Sequence, residues 1–295
     1  MKRLLQNPSV AARLRRFKPL YYRLTGRHGV GPGPDAAEML RRLDGRGLFL
    51  FSFGRSGTTV FRNFAATHPQ IEDFGEVLNE EAFHGVFRRL GGRAVRPSVF
   101  RARFYAHLAR LVARNPGCIC LFDMKFESLH LIEGNWRLPG PDFEILHAVR
   151  ESGAPAILIE RRDAVGRHVS LQLAIRRNRF HSFEIGTEEA PDPFEIDIPA
   201  LEREIRVIRA QHARVRQIFA GAPRFLDLAY EEMFVRAEDG AQRFSPEIGP
   251  ALSRLLDIDA RFDPAPRLER VGATGRGDPV RNRSEVEAVR ARHGG

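Results

Sequence analysis

The chain has 295 residues and a mass of 33.4 kDa; 43% of the residues are hydrophobic and 28% are charged. This composition is too apolar for an intrinsically disordered chain, and the 26 glycines follow no collagen period. The longest apolar stretch, residues 48–53, has the length of a strand and falls far short of the roughly 20 residues that cross a bilayer. The sequence therefore predicts a soluble globular protein.

The net charge of +10 comes mainly from the N-terminal end. Of the 47 basic residues, eight lie in residues 1–34, where no acidic residue occurs, and the rest of the chain has 39 basic against 37 acidic residues. Binding to nucleic acid would need this surplus on the body of the protein, so we expect no nucleic-acid partner. The basic segment, in which Leu14, Phe17 and Leu20 alternate with arginines, is either a peripheral contact for an anionic membrane or a tail that frays or docks.

Targeting and cysteine use indicate the compartment. The apolar stretch after the first three residues is only Leu4 and Leu5, so no secretory signal develops. Cys118 and Cys120 have poor disulfide geometry on one predicted strand and lack the partners of a zinc site, which indicates buried thiols in a reducing compartment. We therefore expect a cytoplasmic protein, with membrane contact only through its tail. The sequence predicts no oligomeric state.

In chain order, a Gly/Pro linker at 29–34 separates the tail, residues 1–34, from one predicted domain over residues 35–295. Hydrophobic periodicity in that domain predicts strands alternating with helices. The predicted strands are 48–53, 118–126, 156–160 and 224–229. The predicted helices are 58–67, 76–90, 98–115, 142–150, 164–177, 201–219 and 284–292. This alternation is typical of an α/β fold, with a mainly parallel sheet and helices on both faces.

The segment after the first strand has the pattern of an anion site. It reads Gly54-Arg55-Ser56-Gly57-Thr58-Thr59, a glycine-bracketed turn that runs directly into a helix. Glycines allow a tight turn, converging N–H groups and the helix start favour an anion, and Arg55 adds a fork of donors. It is not a Walker A loop, because only two residues separate its glycines and no lysine follows. An ATP-hydrolysing site is therefore disfavoured.

This loop resembles the 5′-phosphosulfate loop of sulfotransferases that use 3′-phosphoadenosine 5′-phosphosulfate (PAPS). A second segment, residues 157–170, resembles the 3′-phosphate motif of that family, in which an arginine at a strand end precedes a serine by eight positions. Arg162 and Ser170 have that spacing, and Arg161 competes with Arg162 for the role. The resemblance implies a P-loop NTPase-like fold and PAPS as the sulfuryl donor, bound by Gly54 to Thr59, Arg162 and Ser170. It implies no metal.

Other segments resemble the bacterial carbohydrate branch, which includes nodulation-factor and trehalose sulfotransferases. Among these segments are residues 74–79, 122–126 and 180–182. The resemblance implies Glu76 as the base that deprotonates a hydroxyl acceptor, with Glu80 and Glu81 as competitors. Lys125 is the only lysine beyond the tail, and with Arg55 it would meet the negative charge that develops on the leaving phosphate.

The expected function is transfer of a sulfuryl group from PAPS to a hydroxyl of a carbohydrate or glycolipid. Two alternatives remain open. The first is a P-loop nucleotide kinase or NTPase, which requires ATP and magnesium. The second is a non-enzymatic nucleic-acid or membrane-binding protein that acts through the basic tail.

Overall fold

The computed structural model describes residues 36–78, 90–91, 95, 97–133, 143–177, 192–236, 238, 242–263 and 279–293. The tail and the Gly/Pro linker lie outside these residues, as do Glu80, Glu81 and residues 180–182. Predictions that concern these segments stay predictions. No helix among the described residues is long and apolar enough to span a membrane.

The described part of the chain alternates strands with helices. The strands are β1 Gly47–Ser52, β2 Ile71–Glu76, β3 Ile119–Lys125, β4 Ala156–Glu160, β5 Phe225–Ala229, β6 Phe234–Arg236 and β7 Gln242–Phe244. The helices are α1 Ala36–Arg41, α2 Thr58–Ala65, α3 Pro97–Arg114, α4 His130–Glu133, α5 Glu144–Ser152, α6 Ala164–Arg177, α7 Ile198–Ile218, α8 Ile248–Leu256 and α9 Arg283–His293. Short 3-10 turns, Phe126–Ser128 and Tyr230–Glu232, follow β3 and β5.

Five strands form one parallel sheet in the order β2-β3-β1-β4-β5. After β1 the chain crosses to β2 on one side, whereas after β4 it continues to β5 on the other. The boundary between β1 and β4 is therefore a topological switch point, where the carboxyl ends of the strands open into a crevice that typically binds a ligand. The register brings Ser52 at the end of β1 opposite Lys125 at the end of β3.

Apolar side chains cover both faces of the sheet. Phe49 and Phe51 of β1 pack in a core with α1, α3, α5 and α7, whereas Leu48 and Leu50 pack on the other face with α2 and α8. A strand that is buried on both faces has a continuous apolar run instead of alternating apolar and polar residues. For this reason the apolar run at residues 48–53 predicts a central strand. The predicted α/β fold, a mainly parallel sheet with helices on both faces, is confirmed.

The predicted start of one helix is wrong. A helix was expected over residues 76–90, but Glu76 is the last residue of β2, an edge strand, and residues 77–78 form a turn. The rest of that predicted helix, residues 79–89, lies outside the described residues. The strand β2 has the sequence IEDFGE, in which only Ile71 is fully buried, and its pairing with β3 is irregular between Asp73 and Glu76. An edge strand that is mostly polar lacks the apolar pattern by which strands are identified. The β6–β7 hairpin and α8 were also not predicted.

Candidate functional site

The loop between β1 and α2 turns through two left-handed residues. Arg55 has φ 68° and Gly57, at the N-cap of α2, has φ 80°. A Cβ atom at Gly57 would lie 2.5 Å from Cε2 of Tyr230 and closer still to Cδ2, so the aromatic ring closes against bare backbone. The neighbouring Ser56 is buried, and its hydroxyl has no hydrogen-bond partner among the described residues. The two left-handed residues give the tight turn that the sequence predicts between β1 and α2, and anion binding by this loop stays a prediction.

Three guanidinium groups surround this loop. Nε of Arg55 donates to Oγ of Ser170 at 3.1 Å, Nη1 of Arg161 donates to the carbonyl oxygen of Arg55 at 3.4 Å, and Nη1 of Arg167 donates to the carbonyl oxygen of Gly54 at 2.6 Å. Burial lowers the pKa of Arg55, and the charges of Arg161 and Arg167 lower it further. Cations that repel one another across a cradle of N–H groups favour a polyanionic ligand.

Lys125, the last residue of β3, contacts the end of β1 and the start of α2. Its Nζ atom donates to Oγ of Ser52 at 3.0 Å, to Oδ2 of Asp123 at 2.9 Å and to the hydroxyl of Thr58. The side chain is buried, and the sheet register positions it, since Ser52 and Lys125 are partners in adjacent strands. The only lysine outside the tail therefore contacts both the end of β1 and the start of α2.

Glu76 lies beside this lysine. Its Oε1 atom is 3.8 Å from Nζ of Lys125, and Glu76 pairs with Asp123 across the β2–β3 ladder. Glu76 is thus at the carboxyl end of the strand β2, instead of in the expected helix, and at the same end of the parallel sheet as residues 54–59. The structure brings Glu76, Lys125 and Thr58 together.

Arg162 points elsewhere. Its guanidinium pairs with Glu232, and 57% of the side chain is exposed. Its backbone N–H donates to Glu231 at 3.1 Å. Ser170, the expected partner of Arg162, is contacted by Arg55 instead. The joint phosphate role of Arg162 and Ser170 therefore stays a prediction, in which the Arg162 side chain must leave Glu232.

Arg161, the competitor of Arg162, contacts the loop between β1 and α2. Its Cζ atom lies 5.3 Å from the centre of the Tyr230 ring, and its side chain reaches the loop at Arg55. Successive residues after a strand point in different directions, so spacing in the sequence could not decide between two adjacent arginines.

Three further residues at the site were not identified from the sequence. Arg167 is buried and bonded both to the loop and to Glu204 on α7. Oε1 of Glu127 accepts from the N–H of Gly54 at 2.9 Å, so a carboxylate occupies the first donor of the cradle. Asp123 is fully buried beneath Lys125. A charged residue within a buried strand, as at Asp123, is the one signal that could have been used, because such residues are rarely buried without a partner.

Among the described residues, no group of three or more His, Cys, Asp or Glu side chains is arranged to hold a metal ion. The side chains that meet at the loop are instead mainly hydrogen-bond donors, in the form of guanidinium, ammonium and hydroxyl groups. Burial raises the pKa of Cys120 to about 11, which keeps that thiol protonated and unreactive at neutral pH.

No protein-family model matches the chain, and no curated protein is significantly similar to it. Among solved structures, the chain is similar to the crystal structure of a sulfotransferase from Alicyclobacillus acidocaldarius. The two share 17% sequence identity, and the match covers 83% of this chain and 91% of the other, with a TM-score of 0.47. A similarity of this size does not assign the chain to a family.

Proposed function

We propose that this protein is a PAPS-dependent sulfotransferase that acts on a hydroxyl of a carbohydrate or glycolipid. The observation that carries the proposal is the convergence of Arg55, Arg161 and Arg167 on a glycine-bracketed loop that also contacts Lys125. This set of donors suits a ligand with several negative charges, as a nucleotide with separate 5′ and 3′ anionic groups has.

The residues present fit such a nucleotide. The N–H groups from Gly54 to Thr59 would hold the 5′-phosphosulfate, with the buried Ser56 hydroxyl as a further donor. Ser170, on the helix α6 that follows β4, would bind the 3′-phosphate together with an arginine. That arginine would be Arg162, once its side chain leaves Glu232, or Arg161. When bound, PAPS supplies a sulfuryl group on an activated phosphate, and the 3′,5′-bisphosphate is the leaving group.

The chain's own residues would then handle the proton and the charge. An alcohol is a weak nucleophile, so its proton must be removed as the oxygen–sulfur bond forms, and the Glu76 carboxylate would accept it. The ammonium of Lys125, 3.8 Å from Glu76, and the guanidinium of Arg55 would meet the negative charge that moves onto the phosphate oxygen. Because these cations supply the electrostatic stabilisation, the proposal needs no metal ion.

Calorimetric titration with adenosine 3′,5′-bisphosphate tests the donor site. We expect micromolar binding that weakens about 10- to 150-fold in Arg161→Ala, the equivalent of losing a charged hydrogen bond of roughly 1.5–3 kcal/mol. Arg162→Ala run beside it decides which arginine holds the 3′-phosphate. Arg41→Ala, which removes an exposed ion pair with Glu38 on α1, is the matched control and should leave affinity unchanged.

A transfer assay with radiolabelled PAPS and a panel of carbohydrate and glycolipid acceptors tests the activity. Label should move to a hydroxyl-bearing acceptor, and omission of magnesium should not abolish the reaction. Tight binding of ATP with magnesium, together with no binding of the bisphosphate, would instead support the nucleotide-kinase alternative.

A further inference from the structure

A row of alternating charges runs beneath the phosphate loop. Nη1 of Arg62, on α2, donates to both carboxylate oxygens of Asp73 at 3.0 and 3.1 Å. Nε of the same arginine lies 3.3 Å from Oδ2 of Asp123, which in turn accepts from Nζ of Lys125 at 2.9 Å. The row ends at Glu76, 3.8 Å beyond the ammonium. It thus links two acidic residues of β2 through α2 and β3.

The middle of this row is an unusually placed carboxylate. Asp123 lies within the central part of the sheet and is fully buried. One oxygen faces both cations, and the other has no hydrogen-bond partner in the described part of the chain. A buried carboxylate is costly unless cations compensate it, so its ionised form depends on Lys125 and Arg62.

The ammonium of Lys125 can donate three hydrogen bonds and can accept no hydrogen bond. Its three acceptors, one for each hydrogen, are Ser52, Thr58 and Asp123. Because the ammonium can only donate, the Thr58 hydroxyl must accept from it, which leaves the hydroxyl's own hydrogen for a different acceptor. Thr58 is the first residue of α2, at the cradle, where that acceptor would be an anionic oxygen of the ligand.

We propose that Asp123 is a positioning residue that acts through Lys125. Its carboxylate anchors the ammonium, so that the hydrogens of Lys125 are directed at Ser52 and Thr58 and the Thr58 hydroxyl presents its hydrogen to the bound anion. The proposal rests on the proposed function, in which that anion is the 5′ group of the donor. Asp123 is not needed to neutralise Arg62, since Asp73 already engages that arginine with both oxygens.

A double-mutant cycle measures this link. We expect Asp123→Asn to weaken the binding of adenosine 3′,5′-bisphosphate about 5- to 20-fold, the size of a lost oriented hydrogen bond. In a Lys125→Met background the same change should alter affinity less than about 2-fold, because the residue through which it acts is gone. If the fold-changes in affinity of the two single variants simply multiply in the double variant, the proposal is overturned. Glu144→Gln, on α5, is the matched control: it removes the carboxylate partner of the buried Arg101, on α3, and should leave affinity unchanged.

A second readout does not depend on the activity. The chain has three lysines, two of them in the tail, so ¹⁵N-lysine labelling gives a simple spectrum in which Lys125→Met identifies the Lys125 signal. A buried ammonium with three hydrogen bonds exchanges slowly with water, so its signal should be sharp in the wild type and broaden beyond detection in Asp123→Asn. A sharp signal in both proteins would contradict the anchoring.

The two proposals can fail separately. If the wild type binds no bisphosphate, the proposed function falls, and the ammonium spectrum still decides whether Asp123 anchors Lys125. If Asp123→Asn does not fold, the wild type carries the test: a coupling across the hydrogen bond between ¹⁵Nζ of Lys125 and ¹³Cγ of Asp123 must be present. Its absence would overturn the positioning role.

Discussion

Replacement of Gly57 by alanine tests how tightly Tyr230 packs against the loop between β1 and α2. Two costs are expected. Alanine at φ 80° pays about 1–2 kcal/mol for the left-handed conformation. The new Cβ atom would also lie 2.5 Å or less from two atoms of the Tyr230 ring, against an ordinary carbon separation of about 3.5–4.0 Å.

The ring must therefore move by about 1 Å or more, and overpacking of this kind costs about 1–3 kcal/mol. Gly153 isolates the first cost, because it has a similar φ of 71° and a Cβ atom added there would meet nothing within 4 Å. In urea unfolding, the free energy of unfolding should fall by about 1–2 kcal/mol in Gly153→Ala and by about 2–5 kcal/mol in Gly57→Ala.

A second variant separates the two contributions. Tyr230→Ala in the Gly57→Ala background should recover the overpacking part, measured against Tyr230→Ala alone, and leave the backbone part. Equal losses of stability in Gly57→Ala and Gly153→Ala would refute the close packing of Tyr230 on the loop. The affinity for adenosine 3′,5′-bisphosphate should fall only in Gly57→Ala, because only that glycine lies in the cradle.

Three further outcomes are expected. Glu76→Gln should leave bisphosphate affinity intact and lower transfer by about 10²-fold or more, since an amide cannot accept the proton; unchanged turnover would remove Glu76 as the base. Glu127→Gln should tighten bisphosphate binding about 3- to 10-fold in calorimetry, because a negative charge leaves the first N–H of the cradle; weaker binding would contradict this. The imidazole of His212, with Nδ1 3.0 Å from Oε1, and a hydrogen bond from Arg216 lower the pKa of Glu160 from 4.5 to about 2. The stabilisation from this low pKa is complete above about pH 4.5 and is lost as the pH falls towards 2. The difference in the free energy of unfolding between wild type and Glu160→Gln, measured in urea, should therefore be ~1–2 kcal/mol smaller at pH 3 than at pH 6.

The turn after β1 was more predictable than the strand that holds Glu76. The cradle was predicted because its glycines, hydroxyls and strand-to-helix position are local in sequence, and local geometry follows from them. Glu76 was named as a candidate base, yet its element was wrong. A mostly polar edge strand has no apolar period, and only its pairing with β3 shows that it is a strand.

Local patterns in the amino-acid sequence are enough to predict that buried strands alternate with helices and that a tight glycine-bracketed turn follows the first strand, because periodicity and glycine placement are local properties. The folded arrangement was needed to establish that Arg161 faces the cradle while Arg162 faces Glu232, and that Asp123 lies beneath Lys125. These features escape a local pattern because the direction and the partners of a charged side chain depend on neighbouring strands that are distant in the sequence.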